Sequence, residues 1–168
     1  FFVLAMTLPH ETLAYPLYYF FKLMGLYDTR LSIVLIFAVL HSSYGTYLLS
    51  SVFHTFPYSL IESAKLDGCG KLYILGRIVL PLNMPSITVL FVFFFIWTWN
   101  EFFLPLIFLV SNSKQTVPLA MTLLQGQHNV DVTAQSAAGL LGIIPCILFF
   151  IIFQKTFTRG VTSGAVKG

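Results

Sequence analysis

The residues of this chain that could carry out chemistry are few and widely separated. His10 and Glu11 begin a pattern typical of a zinc-protease helix, but position 14, where that pattern needs a second histidine, holds Ala14. Glu11 and Glu101 have no second acid nearby and no Ser–His pair for acid–base or nucleophilic work. No Gly-x4-Gly-Lys-Ser/Thr phosphate loop is present. We therefore expect no enzyme activity, metal or cofactor, and ordinary structural roles for the remaining histidines, which are His41, His54 and His128.

The composition indicates the environment that surrounds these few polar residues. The chain has 168 residues, of which 57% are hydrophobic and 9% are charged, and its mean hydropathy is +0.86. Soluble domains carry roughly 25% charged residues, so this surface must face lipid or other apolar helices. The net charge of +3 is scattered along the chain. Because no basic stripe is formed, we expect no nucleic-acid partner.

Long apolar runs predict membrane-spanning helices. A bilayer core of about 30 Å needs roughly 20 apolar residues in a helix, since lipid offers no partner to an unpaired backbone group. Three runs contain no Asp, Glu, Lys or Arg, and a fourth near the start is broken only by Glu11. Pro9 and Pro16 predict a kink or unwinding around Glu11. The predicted fold is an all-α integral membrane protein with four spans, at about 1–22, 31–53, 79–110 and 132–155.

The third and fourth runs have further features. The third continues past Asn100 to 110, which is too long for one span, so the helix is either tilted and protruding or broken near Asn100 and Pro105. In the fourth, small residues recur at four-residue spacing and permit a neighbouring helix to approach closely. They are Ala134, Ala138, Gly142 and Cys146.

The distribution of basic residues predicts the topology, because cytoplasmic loops carry the excess of Lys and Arg. The connector 54–77 and the C-terminal tail hold most of them, so both are predicted to be cytoplasmic. The connector 111–131 is then external. The cytoplasmic group is Lys65, Lys71, Arg77, Lys155, Arg159 and Lys167, and the external group is Lys22, Arg30 and Lys114.

The cytoplasmic connector 57–78 has more structure than a simple loop. Pro57 can start a short amphipathic helix and Gly68 can end it, and a second amphipathic piece follows before the chain re-enters the bilayer. One interpretation is a helix resting among lipid headgroups. Glu62 and Asp67 offset Lys65 and weaken attraction to anionic lipid, so the pattern favours docking of a cytoplasmic partner.

The same connector carries a specific motif. Glu62-Ser63-Ala64, three residues, Gly68, nine residues and then Ile78-Val79-Leu80-Pro81 resembles the EAA signature of binding-protein-dependent ABC importer permeases. Ser63 replaces the first Ala of that signature. In that family the segment forms coupling helices that seat in a cleft of the ATPase subunit. The resemblance implies docking by Glu62, Ser63, Ala64, Asp67 and Gly68, with Ile78, Leu80 and Pro81 forming the structural re-entry.

Three other stretches are similar to the carbohydrate, MalG-like branch of these permeases. They are 99–102 with Pro105-Leu106, 116–120 with 125–127, and the terminal 164–168. That family typically has six spans, so the resemblance implies that about two N-terminal helices precede this sequence and that 1–168 is one transmembrane permease domain. Ionisable residues at membrane depth are candidate functional residues, which nominates Glu11 and Glu101. Asn100 and Glu101 are candidates for the translocation path or external gate, although interface anchoring of Glu101 is the stronger alternative. Gln125, Gly126 and Gln127 are candidates for contact with a binding protein.

The function implied is that of a permease subunit of an ATP-driven importer, which moves a carbohydrate across a bacterial-type inner membrane and is not itself an enzyme. Its partners would be ABC ATPase subunits, a second homologous permease, an extracytoplasmic solute-binding protein and the lipid bilayer. Two alternatives stay open. One is an ABC permease for a non-sugar solute, and the other is a secondary transporter energised by ions through Glu11 or Glu101.

Overall fold

The computed structural model describes residues 7, 9–124 and 131–165, and every regular element within these ranges is helical. A 3-10 turn at His10–Leu13 leads into the first α-helix, and a π-helical turn at Leu75–Val79 separates two others. The α-helices are α1 Ala14–Leu23, α2 Arg30–His54, α3 Tyr58–Leu66, α4 Lys71–Ile74, α5 Leu80–Asn100, α6 Phe103–Phe108, α7 Val117–Leu123 and α8 Val132–Ala165. The predicted all-α membrane class is confirmed.

Three segments are long and apolar enough to cross a bilayer, namely Arg30–His54, Lys71–Asn100 and Val132–Lys155. They correspond to the second, third and fourth predicted spans. The first predicted span, 1–22, begins outside the described residues. Its described part is the 3-10 turn followed by the 10-residue α1, with Pro9 immediately before the turn. The interruption predicted around Glu11 is therefore present, and a complete fourth span stays a prediction.

The third predicted span, 79–110, is divided in the structure. Helix α5 ends at Asn100, Glu101 is extended with ψ of 128°, and α6 follows at Phe103. In a continuous helix the ring of Pro105 would clash with the carbonyl of Glu101, four residues earlier. Of the two forms considered for this overlong run, the break is the one observed.

The short helix α6 fills the space between α1 and α2. Leu104 and Phe108 are almost completely buried, and the ring of Phe108 meets that of Phe21 edge-on at 5.8 Å between centroids. Lipid tails are as apolar as these side chains, so close packing rather than escape from water holds them together. The buried cluster is Phe21, Ile33, Ile36, Phe37, Leu104, Phe108 and Leu109.

Helices α5 and α8 pack through aromatic rings and small residues. Phe95 stacks on Phe149 with centroids 3.9 Å apart, and the indole Nε1 of Trp99 donates to the carbonyl of Gly142 at 3.0 Å. A Cβ at Gly142 would lie 3.5 Å from Cγ1 of Val117. The small-residue stripe of α8 is predicted to permit close approach of another helix. At Gly142 that neighbour is α7 of the same chain.

A polar clasp joins the α1–α2 turn to the segment after α6. Asp28 has a positive φ of 54°, and its Oδ1 accepts from the amides of Val110 (2.9 Å) and Ser111 (3.0 Å). Its Oδ2 accepts from the Ser111 hydroxyl and from Nζ of Lys114 at 2.8 Å. Hydrogen bonds from Lys114 and Ser111 hold the pKa of the Asp28 carboxyl well below its ordinary value. The next residue, Thr29, caps α2, because its hydroxyl oxygen accepts from the amide of Ser32 at 3.3 Å.

The depressed pKa of Asp28 predicts pH-dependent stability. A carboxyl that binds protons less readily when folded stabilises the fold above its unfolded pKa of roughly 3.9 and loses that contribution as pH falls through the folded value. We expect Asp28→Asn to lower the melting temperature of the purified protein at pH 7. The difference in melting temperature between variant and wild type should become smaller below about pH 4. Melting curves of both proteins across this pH range measure that difference, and a difference that is equal at every pH contradicts the lowered pKa of Asp28.

Candidate functional site

The connector between the second and third spans forms a defined projection. Helix α2 ends at His54, and Pro57, with φ of −65° and ψ of 103°, directly precedes α3. The fixed φ of proline suits the start of a helix, so the predicted start at Pro57 is confirmed. Helix α3 therefore follows the membrane helix after a link of only three residues, and little slack separates the two.

The end of α3 is determined by a glycine. Gly68 has φ of +79°, and its amide donates to the Lys65 carbonyl while the Cys69 amide donates to the Ala64 carbonyl, both at 3.0 Å. This pair of bonds is the Schellman arrangement, which requires a left-handed residue at the turn. A Cβ at Gly68 would meet nothing within 4 Å, so backbone conformation rather than space accounts for the glycine.

The predicted docking residues divide by exposure. Glu62, Ser63, Asp67 and Gly68 are exposed, although the Ser63 hydroxyl already donates to the Ser59 carbonyl at 3.0 Å. Ala64 is 6% exposed and so faces the protein's own interior. Its small side chain positions α3 rather than offering a contact surface.

Apolar side chains extend the exposed surface of the connector. Leu66 is 89% exposed and Leu72, at the start of α4, is 85% exposed, so apolar side chains stand on both sides of the Gly68 turn. Tyr58 is also exposed, with Nζ of Lys65 5.7 Å from the centroid of its ring. We call Tyr58, Glu62, Leu66, Asp67 and Leu72 the connector face. Leu72 lies outside the signature spacing, which is why the motif did not identify it.

The re-entry residues lie at a widened helical turn. Ile78 belongs to the π-helical segment Leu75–Val79, and Leu80 donates its amide to the carbonyl of Leu75, five residues earlier. Pro81 has no amide to donate, and its ring disfavours the ordinary turn before it. The wide turn lets the chain pass from α4 into α5 without ending the helical run.

The side chains of the candidate gate residues, Asn100 and Glu101, form hydrogen bonds with neighbouring backbone groups. Oε1 of Glu101 accepts from the amides of Phe103 (3.0 Å) and Leu104 (3.2 Å), which are otherwise unpaired at the start of α6. Nδ2 of Asn100 donates to the Ile96 carbonyl at 2.7 Å. Both side chains thus serve the break between α5 and α6.

The structure identifies a polar pair that sequence reasoning missed. Nε2 of His41 in α2 lies 2.7 Å from Oγ1 of Thr98 in α5, and the imidazole stacks on Phe94 at 4.3 Å. The histidine had been predicted to be an ordinary helix or interface residue. Its position inside a charge-free run was the available signal, since polar groups at membrane depth are usually functional.

Metal binding has no support in the part of the chain that the structure describes. No group of three His, Cys, Asp or Glu side chains comes together within these residues. Nε2 of His10 lies 3.3 Å from Oε1 of Glu11, which makes a local pair. Two neighbouring side chains on one 3-10 turn do not supply a structural metal's usual four ligands.

Comparison with known sequences identifies the family. A family model described as binding-protein-dependent transport system inner membrane component matches residues 1–163. The chain belongs to this family. The connector with its Gly68 turn is therefore a feature of a transport permease, and the absence of an enzyme active site predicted from the sequence agrees with that family.

Several curated relatives resemble this permease across almost its whole length. It is 32% identical to a sulfoquinovosyl glycerol transport system permease protein of Agrobacterium fabrum, with 96% of the chain and 57% of the relative aligned. It is also 32% identical to a glucose import system permease protein of Saccharolobus solfataricus (98% and 58%) and to a trehalose transport system permease protein of Mycobacterium tuberculosis (95% and 59%). The chain spans somewhat more than half the length of these relatives.

The segment predicted to be external is only partly described. Pro118 stands at the start of α7, Val117–Leu123, where its fixed φ suits the beginning of a helix. The predicted binding-protein contacts Gln125, Gly126 and Gln127 lie outside the described residues. The contact therefore stays a prediction.

The left-handed conformation of Gly68 can be tested by substitution, with the nearby Gly70 as the control position. Gly70 also has open space around its Cα, but its φ is −70°, which any residue adopts. Gly68→Ala should destabilise the end of α3 by about 1 kcal/mol because the left-handed conformation is unfavourable for alanine. Gly70→Ala should leave it unchanged. Amide hydrogen exchange at Cys69 measures the difference, and equal protection in the two variants contradicts the assignment.

Proposed function

We propose that this permease is part of an ATP-driven importer and that the connector face docks on a separate ATPase subunit. The observation that carries the proposal is the exposed, glycine-terminated α3, from which the charged residues Glu62 and Asp67 and the apolar Leu66 project. A short amphipathic helix with an apolar anchor and flanking charges suits a groove on a partner protein. ATP hydrolysis belongs to that partner.

Short links at both ends of α3 support its role as a coupling element. The chain passes from His54 to Pro57 at one end and through the tight Gly68 turn at the other, and α4 continues through the π turn into α5. A displacement of α3 by an ATPase would therefore be transmitted to α2 and α5. Rigid-body movements of this kind underlie alternating access in transporters.

The membrane-facing surfaces support assembly with a second permease. Helix α8 exposes large apolar side chains such as Leu140, Leu141 and Ile152, each about two-thirds exposed. Lipid covers part of such a surface, and a second, homologous permease subunit would cover the rest and complete the path. The cytoplasmic position of the connector and C-terminus, and an inner-membrane location, are parts of this proposal that follow from the distribution of basic residues.

A carbohydrate is the proposed solute. The relatives are named for sulfoquinovosyl glycerol, glucose and trehalose, all of which contain sugar rings. A solute-binding protein on the external side would deliver it, touching the permease near 125–127. Asn100 and Glu101 are retained as residues that shape the external end of the path, through the helix break that they stabilise.

Transport by the full-length assembled transporter tests the coupling proposal. We expect Glu62→Gln and Gly68→Ala to reduce ATP-dependent uptake at least tenfold, or about 1.4 kcal/mol, because each weakens the docking helix. Membrane insertion should persist. Radiolabelled glucose and trehalose uptake, together with the ATPase rate of the purified complex, provide the measurements.

Glu11→Gln supplies the matched control, since it removes one carboxylate outside the connector. Under this proposal it leaves ATP-driven uptake unchanged, whereas an ion-coupled transporter would lose activity with Glu11→Gln and keep it with Glu62→Gln. Cysteine placed at Leu66 should also crosslink to the ATPase subunit. Normal uptake by the Glu62 and Gly68 variants, with no crosslink, would overturn the proposal.

A further inference from the structure

Aromatic and polar side chains surround Trp97 in the last turns of α5. The indole lies 5.0 Å from the ring of Tyr44, 5.5 Å from that of His41 and 6.3 Å from that of His10, measured between centroids. These partners come from α2 and from the 3-10 turn before α1. Two elements besides α5 therefore converge on one tryptophan.

This cluster lies near the middle of α2 and close to the end of α5. Counted along α2 from Arg30, His41 is roughly 16 Å from the helix start at 1.5 Å per residue. Thr98 contacts His41, and α5 ends two residues later at Asn100. The cluster therefore lies beside a break in a helical run, and transporters form solute sites from such discontinuous helices.

The polar pair in the cluster has unused hydrogen-bonding capacity. Nδ1 of His41 is buried and has no hydrogen-bond partner within the described residues, although Nε2 is used by Thr98. A buried polar atom without a partner costs roughly 1–3 kcal/mol. The rings of Phe37 and Phe94 both stack on the imidazole, with centroids 5.8 Å and 4.3 Å from it, and a further hydrogen bond would have to be made at the ring edge, where Nδ1 lies.

The neighbouring polar residues are committed elsewhere. The carboxylate of Glu101 accepts from two amides of α6, and the amide of Asn100 donates to its own helix. Oε1 of Glu101 and Nδ2 of Asn100 are thus committed to the helix break, whereas His41 and Thr98 lie on α2 and α5 before it.

We infer that Tyr44, Trp97, His41 and Thr98 form a carbohydrate-contact site within the translocation path. The inference rests on the proposed function. The rings of Tyr44 and Trp97 suit the apolar face of a sugar, while His41 and Thr98 hydrogen-bond its hydroxyls. The edge of His41 is closed in this conformation, and relative movement of α2 and α5 opens it during transport.

Substitutions at the polar pair test the site in the full-length transporter with its own binding protein and ATPase. We expect Thr98→Val and His41→Phe to reduce glucose or trehalose uptake about fivefold, since each removes one hydrogen bond to solute. Thr98→Ser, which keeps the hydroxyl, should retain uptake. Ser43→Ala is the matched control, because Ser43 is also a buried hydroxyl of α2 but donates to the Val39 carbonyl of its own helix.

Comparing the uptake of several solutes shows whether His41 and Thr98 bind the solute or only hold the helices together. The binding protein is the same in every assay, so its own preference cancels when each variant is divided by wild type. Using monodeoxyglucoses as probes, we expect the Thr98→Val defect to shrink for the analogue that lacks the contacted hydroxyl. An equal defect for all probes, accompanied by a lower melting temperature, would show that the pair only joins the helices and would overturn the site.

The outcomes also distinguish this site from the coupling proposal. If Thr98→Val and His41→Phe transport normally while Glu62→Gln does not, the site fails and the coupling proposal stands. If Glu62→Gln also transports normally, the coupling proposal fails. A wild-type transporter that imports none of glucose, trehalose and sulfoquinovosyl glycerol, the solutes for which the relatives are named, contradicts the carbohydrate assignment and the site with it.

Discussion

The constraint on which this structure depends is that backbone amides and carbonyls find no partner in lipid. A helix that stops within the membrane must therefore supply its own hydrogen bonds, and at the division of the third span the Glu101 carboxylate bonds two amides of α6. Turns outside the long helices are also closed by the chain itself. Asp28 bonds the amides of Val110 and Ser111, and the Gly68 turn pairs the last carbonyls of α3.

These hydrogen bonds at the helix ends determine how the helices that carry the candidate functional residues are positioned. Because α5 stops at Asn100, α6 can turn back and fill the gap between α1 and α2, with Phe108 as its fully buried anchor. The clasp at Asp28 then fixes the end of that segment to the turn before α2. The helix that bears His41 is consequently held by contacts near its start at Arg30 and continues at its other end into the connector.

In this bundle only short segments separate the connector face from the membrane helices that carry the polar pair. Helix α2 carries His41 near its midpoint and leads after a three-residue link into α3, while α5 carries Thr98 and is reached from α4 through the π turn. Under the proposed function, movement of α3 changes the relation between the same two helices that hold the polar pair. The connector and the membrane cluster would then respond to one displacement.

The sequence by itself determined the helical membrane class, the segments long enough to span, and the turn that ends α3, because hydropathy, proline and glycine act over a few residues. It also identified the family through the spacing from Glu62 to Pro81. Only the tertiary structure decided that the third run breaks, that Ala64 is buried, and that the polar pairs form. The Asp28–Lys114 and His41–Thr98 partners are separated by 86 and 57 positions along the chain, and helical periodicity carries no information about which faces meet across such distances.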